Sequence, residues 1–324
     1  MRIRFFCLLF LLDLSLHPAH SQGTVPTSEH SVGQISYTLA GRDPAERGTT
    51  TIPTVLVPIT LSFEARKSDG KPFVMAAAAD VSHVLRSPIF SRFAFAPGNT
   101  AQYADAMLRS TFSKTNGFSK ADGGHTLLGK PEVKPVRITV PAGYGYILTS
   151  KRDGGSFAVV DIEFLQRELF KQIPKQDGKL VIALTHNTTY YTEGDATLCC
   201  SWGTHGIDSA TGNSFVLGSY LRAAPHVVEE SDVQPLTQQL AEFINDPLHD
   251  PLFHVRNVPV PGNTFAGWLR PVSRHPGDQS SCGGTHIATA YFLLEPTDIN
   301  PKNNFPVSKA FVAHVGGPTD SLPG

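Results

Sequence analysis

Apolar and polar residues alternate along the first half of the chain in short stretches bounded by Gly, Pro and Ser, as half-buried strands require. ISYTLAG at 35–41 and IPTVLVPITLSFEA at 52–65 are rich in β-branched residues, and Pro53 and Pro58 predict that the second strand is bent or partly edge-like. Two more strands are predicted near 137–141 and 146–150. Between these groups Tyr103, Met107, Leu108 and Phe112 recur at helical spacing, which predicts a helix over 100–113 capped by Asn99 or Thr100.

The second half mixes the two periods. Asp161 opens a helix whose stripe is Ile162, Leu165, Leu169, Phe170 and Ile173, and Pro174 stops it. The apolar run LVIALTH at 180–186 then predicts a buried strand, followed by NSFVLGSYL at 213–221, a helix over about 233–246 and a strand at 287–295. A helix followed by a buried strand points to layered α and β elements, so the expected class is α+β: a mixed sheet with packed helices, rich in loops. The expected organisation is a β-rich N-terminal region over 35–178, a second region over 179–315 and a polar tail at 316–324, without an internal repeat.

The N-terminus changes where this fold is expected to act. Arg2 and Arg4 precede an apolar stretch from Phe5 to Leu16 and a small-residue exit at Ala19 to Ser21, the layout of a secretory signal peptide over 1–21. That stretch is shorter than the ~20 residues of a membrane-spanning helix, so no integral membrane anchor is expected. Residues 22–34 are small and polar and read as a flexible start to an exported, secreted or periplasmic protein. With 27 basic against 28 acidic residues, the chain has no electrostatic case for nucleic acid. Its partner is expected outside the cytoplasm, with no chemistry specified.

Three cysteines follow the signal segment. Neighbouring Cys199 and Cys200 would need a strained eight-membered ring to bridge each other, so one of them is expected to pair with Cys282 in an oxidising compartment. A thiol nucleophile built from Cys199 or Cys200 with His205 is a further, third option. In SWGTHG, Gly203, Thr204 and Gly206 suggest a tight turn that places His205 at a cleft.

The most informative segment is SDVQPLTQQLAEFINDPLHDP at 231–251. Asp232 is a candidate cap, Pro235 suits the first turn, and Leu236, Leu240, Phe243 and Ile244 form a buried stripe opposite Gln238, Glu242 and Asn245. Taken alone, this is an ordinary amphipathic helix packed on a sheet. LTQQLAEFINDP, with CCSWGTHG upstream and Cys282 followed by LLEPTDI downstream, resembles secreted bacterial proteins related to the phosphate-induced, Exordium-like family. The likeness covers roughly 180–300 and implies a zincin-like helix.

In a zincin, side chains at i and i+4 reach one metal ion and the glutamate at i+1 polarises its water. Here Gln238 stands at the first ligand position, Gln239 at the base and Glu242 at i+4. A glutamine amide is a poor zinc ligand and accepts no proton near neutral pH, so the resemblance implies a degenerate site without a cofactor, in a binding or structural protein. The alternative is a zinc-dependent hydrolase using Glu242 with His205, His249, His254 and Glu295, beside Asp246, Asp250 and Asp298. Either way, Gln239, Glu242 and His205 are the residues expected at the centre of the chemistry.

Overall fold

The computed structural model describes residues 24–32, 35–43, 46–66, 70–96, 99–111, 123–149, 155–222, 232–245, 247–248, 270–271, 288–291 and 312–314. In chain order the strands of the first half are β1 (Thr27–Val32), β2 (Ile35–Ala40), β3 (Gly48–Ile52), β4 (Thr54–Arg66), β5 (Pro72–Ala76), β6 (Phe93–Ala96), β7 (Asn99–Ala101), β8 (Gly124–Leu128), β9 (Glu132–Val133), β10 (Val136–Val140), β11 (Gly145–Thr149) and β12 (Ser156–Asp161). They are followed by β13 (Leu180–His186), β14 (Thr188–Thr192), β15 (Asp195–Ser201), β16 (Gly203–Ile207), β17 (Ser214–Tyr220), β18 (Arg270–Pro271), β19 (Ala288–Tyr291) and β20 (Val312–His314). The helices are α1 (Val81–Arg86), α2 (Tyr103–Thr111), α3 (Ile162–Gln172) and α4 (Gln234–Asn245), with a 3-10 turn at Ala77–Asp80. This is an α+β molecule of several mixed sheets, with strands outnumbering helices among the described residues.

The central sheet runs β10-β4-β13-β17-β16 and draws strands from both sides of residue 178. Strands β10, β4, β13 and β17 are parallel and β16 returns antiparallel along β17 at the edge. Continuous burial of Leu180–Thr185 follows from cover on both faces, which is why this segment carries an unbroken apolar run instead of an alternation. On one face Leu56, Ile182, Leu184 and Val216 pack against Tyr103 and Met107 of α2 and Leu236, Leu240, Phe243 and Ile244 of α4. On the other, Val55, Val57, Val181, Ala183 and Leu217 pack against Ile162, Leu165, Leu169 and Phe170 of α3. Each fully buried aliphatic or aromatic side chain contributes on the order of 1.5–3 kcal/mol relative to exposure.

Local signals set the ends of these elements. Asp161 caps α3 by accepting a hydrogen bond from the Phe164 backbone N–H at 2.6 Å. A smaller sheet, β11-β12-β14-β15, lies beside the central one. Its β14–β15 hairpin closes between Thr192 and Asp195 on Glu193 and Gly194, both left-handed at φ 59° and 66°, the conformation of a type I′ turn.

Three local expectations are corrected. The segment 22–34, expected to be flexible, contains β1, which pairs antiparallel with β2 from Thr27↔Ala40 to Val32↔Ile35. Residues 203–206 form β16 and not a tight turn, because their backbone is spent on pairing with β17. Asp232 does not cap α4: the Val233 carbonyl accepts from the Thr237 N–H at 2.8 Å, while Asp232 exchanges backbone hydrogen bonds with Leu221. No helix among the described residues is long and apolar enough to cross a membrane. The segment 1–21 lies outside the described residues.

Candidate functional site

Helix α4 lies against the β16–β17 edge of the central sheet, and two facing glycines set how close it comes. Gly203 and Gly218 are cross-strand partners. A Cβ on Gly218 would stand 2.8 Å from the Leu236 Cα, and one on Gly203 would stand 2.7 Å from the Gln239 Cγ. The helix therefore seats directly on the strand backbone, with most of its circumference covered: Gln234, Thr237 and Gln239 are buried along with the apolar stripe. Gln238 and Glu242 retain partial exposure. An outward polar face of solvated glutamines is thus not what the fold makes of this helix.

Four residues singled out from sequence meet here. His205 projects from β16 with 3 % exposure and its Nδ1 lies 3.2 Å from the Gln239 Oε1. A carbonyl oxygen only accepts, so this bond places the proton on Nδ1. The same Nδ1 is 3.5 Å from the Glu242 Oε2, and the Gln238 Nε2 donates to the Glu242 Oε1 at 3.3 Å. Tyr103 of α2, which sequence reasoning did not single out, completes the surroundings. Its buried hydroxyl is held well above the ordinary phenol range, first by desolvation and then by the charge of Glu242. A helix residue whose role depends on meeting another helix has no local sequence signature.

One imidazole and one carboxylate converge at this point, with two amides beside them. Zinc takes three or four nitrogen, oxygen or sulfur ligands, and no group of three or more His, Cys, Asp or Glu side chains fit to hold a metal ion occurs among the described residues. The described set does not fit a catalytic zinc. His249, His254, Asp246, Asp250, Glu295 and Asp298 lie outside the described residues, and Asn245 is described in its backbone alone.

The cysteine arrangement differs from the one expected. Cys199 and Cys200 are joined to each other by a disulfide, with a cis peptide between them, so the eight-membered ring set aside on sequence grounds is the pairing found. Cys282 lies outside the described residues. With both sulfurs bonded to each other and the His205 Nδ1 facing Gln239 and Glu242, the thiol–imidazole pairing of the thiol-enzyme option is not assembled.

A second polar cluster sits at the carboxyl ends of the parallel strands. His186 and Tyr220 are registered neighbours at the ends of β13 and β17. Asp80, fully buried, accepts from His186 Nδ1 at 2.7 Å and from Arg222 Nε at 3.0 Å. The signal available in sequence was a histidine ending a buried apolar run, the position where parallel-sheet proteins place ligand-facing groups. A further buried carboxylate, Asp105 of α2, bonds His125 Nδ1 at 3.0 Å and accepts from the Thr126 N–H at 3.3 Å.

No protein-family model, no curated protein and no solved structure matches this chain.

Proposed function

We propose that this chain is an exported protein with a zincin-like α4 region whose metal and base positions have been converted to internal hydrogen bonding, and that it acts in binding or structure and not as a peptidase. The observation that carries this reading is the chain of polar contacts between α4 and His205 of β16. Gln239, at the position of the base, is spent on His205, and Glu242, at the i+4 ligand position, is spent on Gln238 and faces the same imidazole. A general base needs a carboxylate or imidazole lone pair directed at the proton it removes, and an amide has none to offer. Placement of the helix under an antiparallel edge strand, with His205 on that strand, supports a polar site inherited on this scaffold.

Export rests on the N-terminal signal segment, and the zincin-like assignment on the motif LTQQLAEFINDP. Restoring both positions as Gln238→His with Gln239→Glu tests the scaffold reading. If α4 faces a remnant metal site, the double variant binds zinc at least tenfold more tightly than the unmodified protein. Equal zinc binding by the two proteins would make α4 a plain structural helix.

A further inference from the structure

The Asp80–His186–Arg222 cluster is physically separate from the α4 polar contacts and is built from different elements. Asp80 arrives on the 3-10 turn that follows β5, His186 closes β13, and Arg222 lies two residues past the end of β17. Both carboxylate oxygens are engaged, Oδ2 by His186 and Oδ1 by Arg222. A carboxylate accepts, so His186 presents a proton to Asp80 through Nδ1, and Nε2 is the ring nitrogen left for another partner. The His186 side chain is 20 % exposed at the sheet's end.

Arg222 is held in a similar way. Its Nε is the atom given to Asp80, while the side chain is 49 % exposed, and its backbone N–H is fixed by the Asn187 Oδ1 at 2.8 Å. The terminal amino pair of the guanidinium is therefore anchored at its base and open at its tip, the fork that matches a planar carboxylate. Tyr220, beside His186 in register, lies tilted against His83 of α1 with ring centroids 5.7 Å apart and supplies an aromatic wall. Its hydroxyl is kept protonated well above the ordinary range by desolvation, then by Asp232 and Asp80.

We infer that this cluster is a binding site for a small carboxylate, gripped by Arg222 and hydrogen-bonded to the His186 Nε2 through a hydroxyl of the ligand. A planar monoanion suits it better than a phosphate dianion, because Asp80 already sets one negative charge against the single guanidinium. The position agrees with the rule that parallel sheets take ligands beyond the carboxyl ends of their strands.

The test uses the full chain with 15N-labelled histidine, the His186 ring signals being identified by their loss in His186→Gln. Titration with lactate, acetate, acetamide and inorganic phosphate is followed at constant ionic strength. Lactate is expected to shift the His186 signals saturably, with acetate weaker and acetamide without effect. Arg222→Gln is expected to weaken lactate binding at least tenfold when measured well below its own melting temperature, which falls because Asp80 loses a charged partner. Arg86→Gln, on the exposed side of α1, is expected to leave lactate binding unchanged. Linear, non-saturating shifts, equal affinity in Arg222→Gln, or tighter binding of phosphate than of lactate would each overturn the carboxylate site, and the first two would reduce the cluster to a structural tie.

Discussion

A single missing methyl group decides how α4 meets the sheet. At Gly218 the added Cβ of alanine meets backbone, the Leu236 Cα at 2.8 Å, which no rotamer change relieves. Gly218→Ala is expected to cost about 1–3 kcal/mol or more, since either the helix or β17 has to move. Gly143→Ala is the matched control, because nothing lies within 4 Å of its Cβ, and its change is expected within about 0.5 kcal/mol. Urea denaturation of the two variants checks both. A Gly218→Ala protein as stable as the control would mean that α4 does not seat on the strand as described.

Elements show where local pattern was sufficient and where it was not. Asp161, the stripe of α3 and Pro174 give that helix its start, face and stop, and the structure runs it over Ile162–Gln172. The stripe of α4 was equally legible, yet its flank was not: Gln239, a polar residue beside the stripe, is 6 % exposed and meets His205 of β16, a partner that local pattern does not name. The glycines of SWGTHG mislead for the same reason. They read as turn residues, whereas a Cβ on Gly203 would run into the Leu217 carbonyl oxygen of the facing strand and stand 2.7 Å from the Gln239 Cγ, requirements set by β17 and α4. Asp80 was invisible because its partners His186 and Arg222 are 106 and 142 positions distant. The hairpin between β14 and β15 makes a prediction of its own. Glu193 adopts φ 59°, which asparagine tolerates better than glutamate, so Glu193→Asn is expected to stabilise the protein by about 0.5 kcal/mol. A shift of the denaturation midpoint to lower urea would contradict the turn assignment.

The whole molecule links its core to alkaline pH through buried phenols. Tyr103 and Tyr190 are fully buried, Tyr190 sharing a 2.6 Å hydrogen bond with the Thr185 hydroxyl, and desolvation raises both far above the ordinary value. The unfolded chain releases these protons near pH 10 while the folded chain keeps them. Folding stability is thus fully present below about pH 10 and falls as pH rises, by about 1.4 kcal/mol per pH unit for each tyrosine. Phenolate absorbance from these two residues is expected to appear together with the loss of far-UV circular dichroism. Ionisation of all 8 tyrosines in a chain that keeps its dichroism would show that the two phenols are not sealed in the core.

At the same scale, the central claim is that α4 carries a chain of polar contacts in place of a working metal centre, and zinc stoichiometry tests it most directly. After purification and dialysis against metal-free buffer, the unmodified protein is expected to hold well under one equivalent of zinc and to leave a broad peptide library uncut. Zinc near one equivalent, with chelator-sensitive cleavage that disappears in Glu242→Ala, would contradict the account and make the protein a zinc hydrolase.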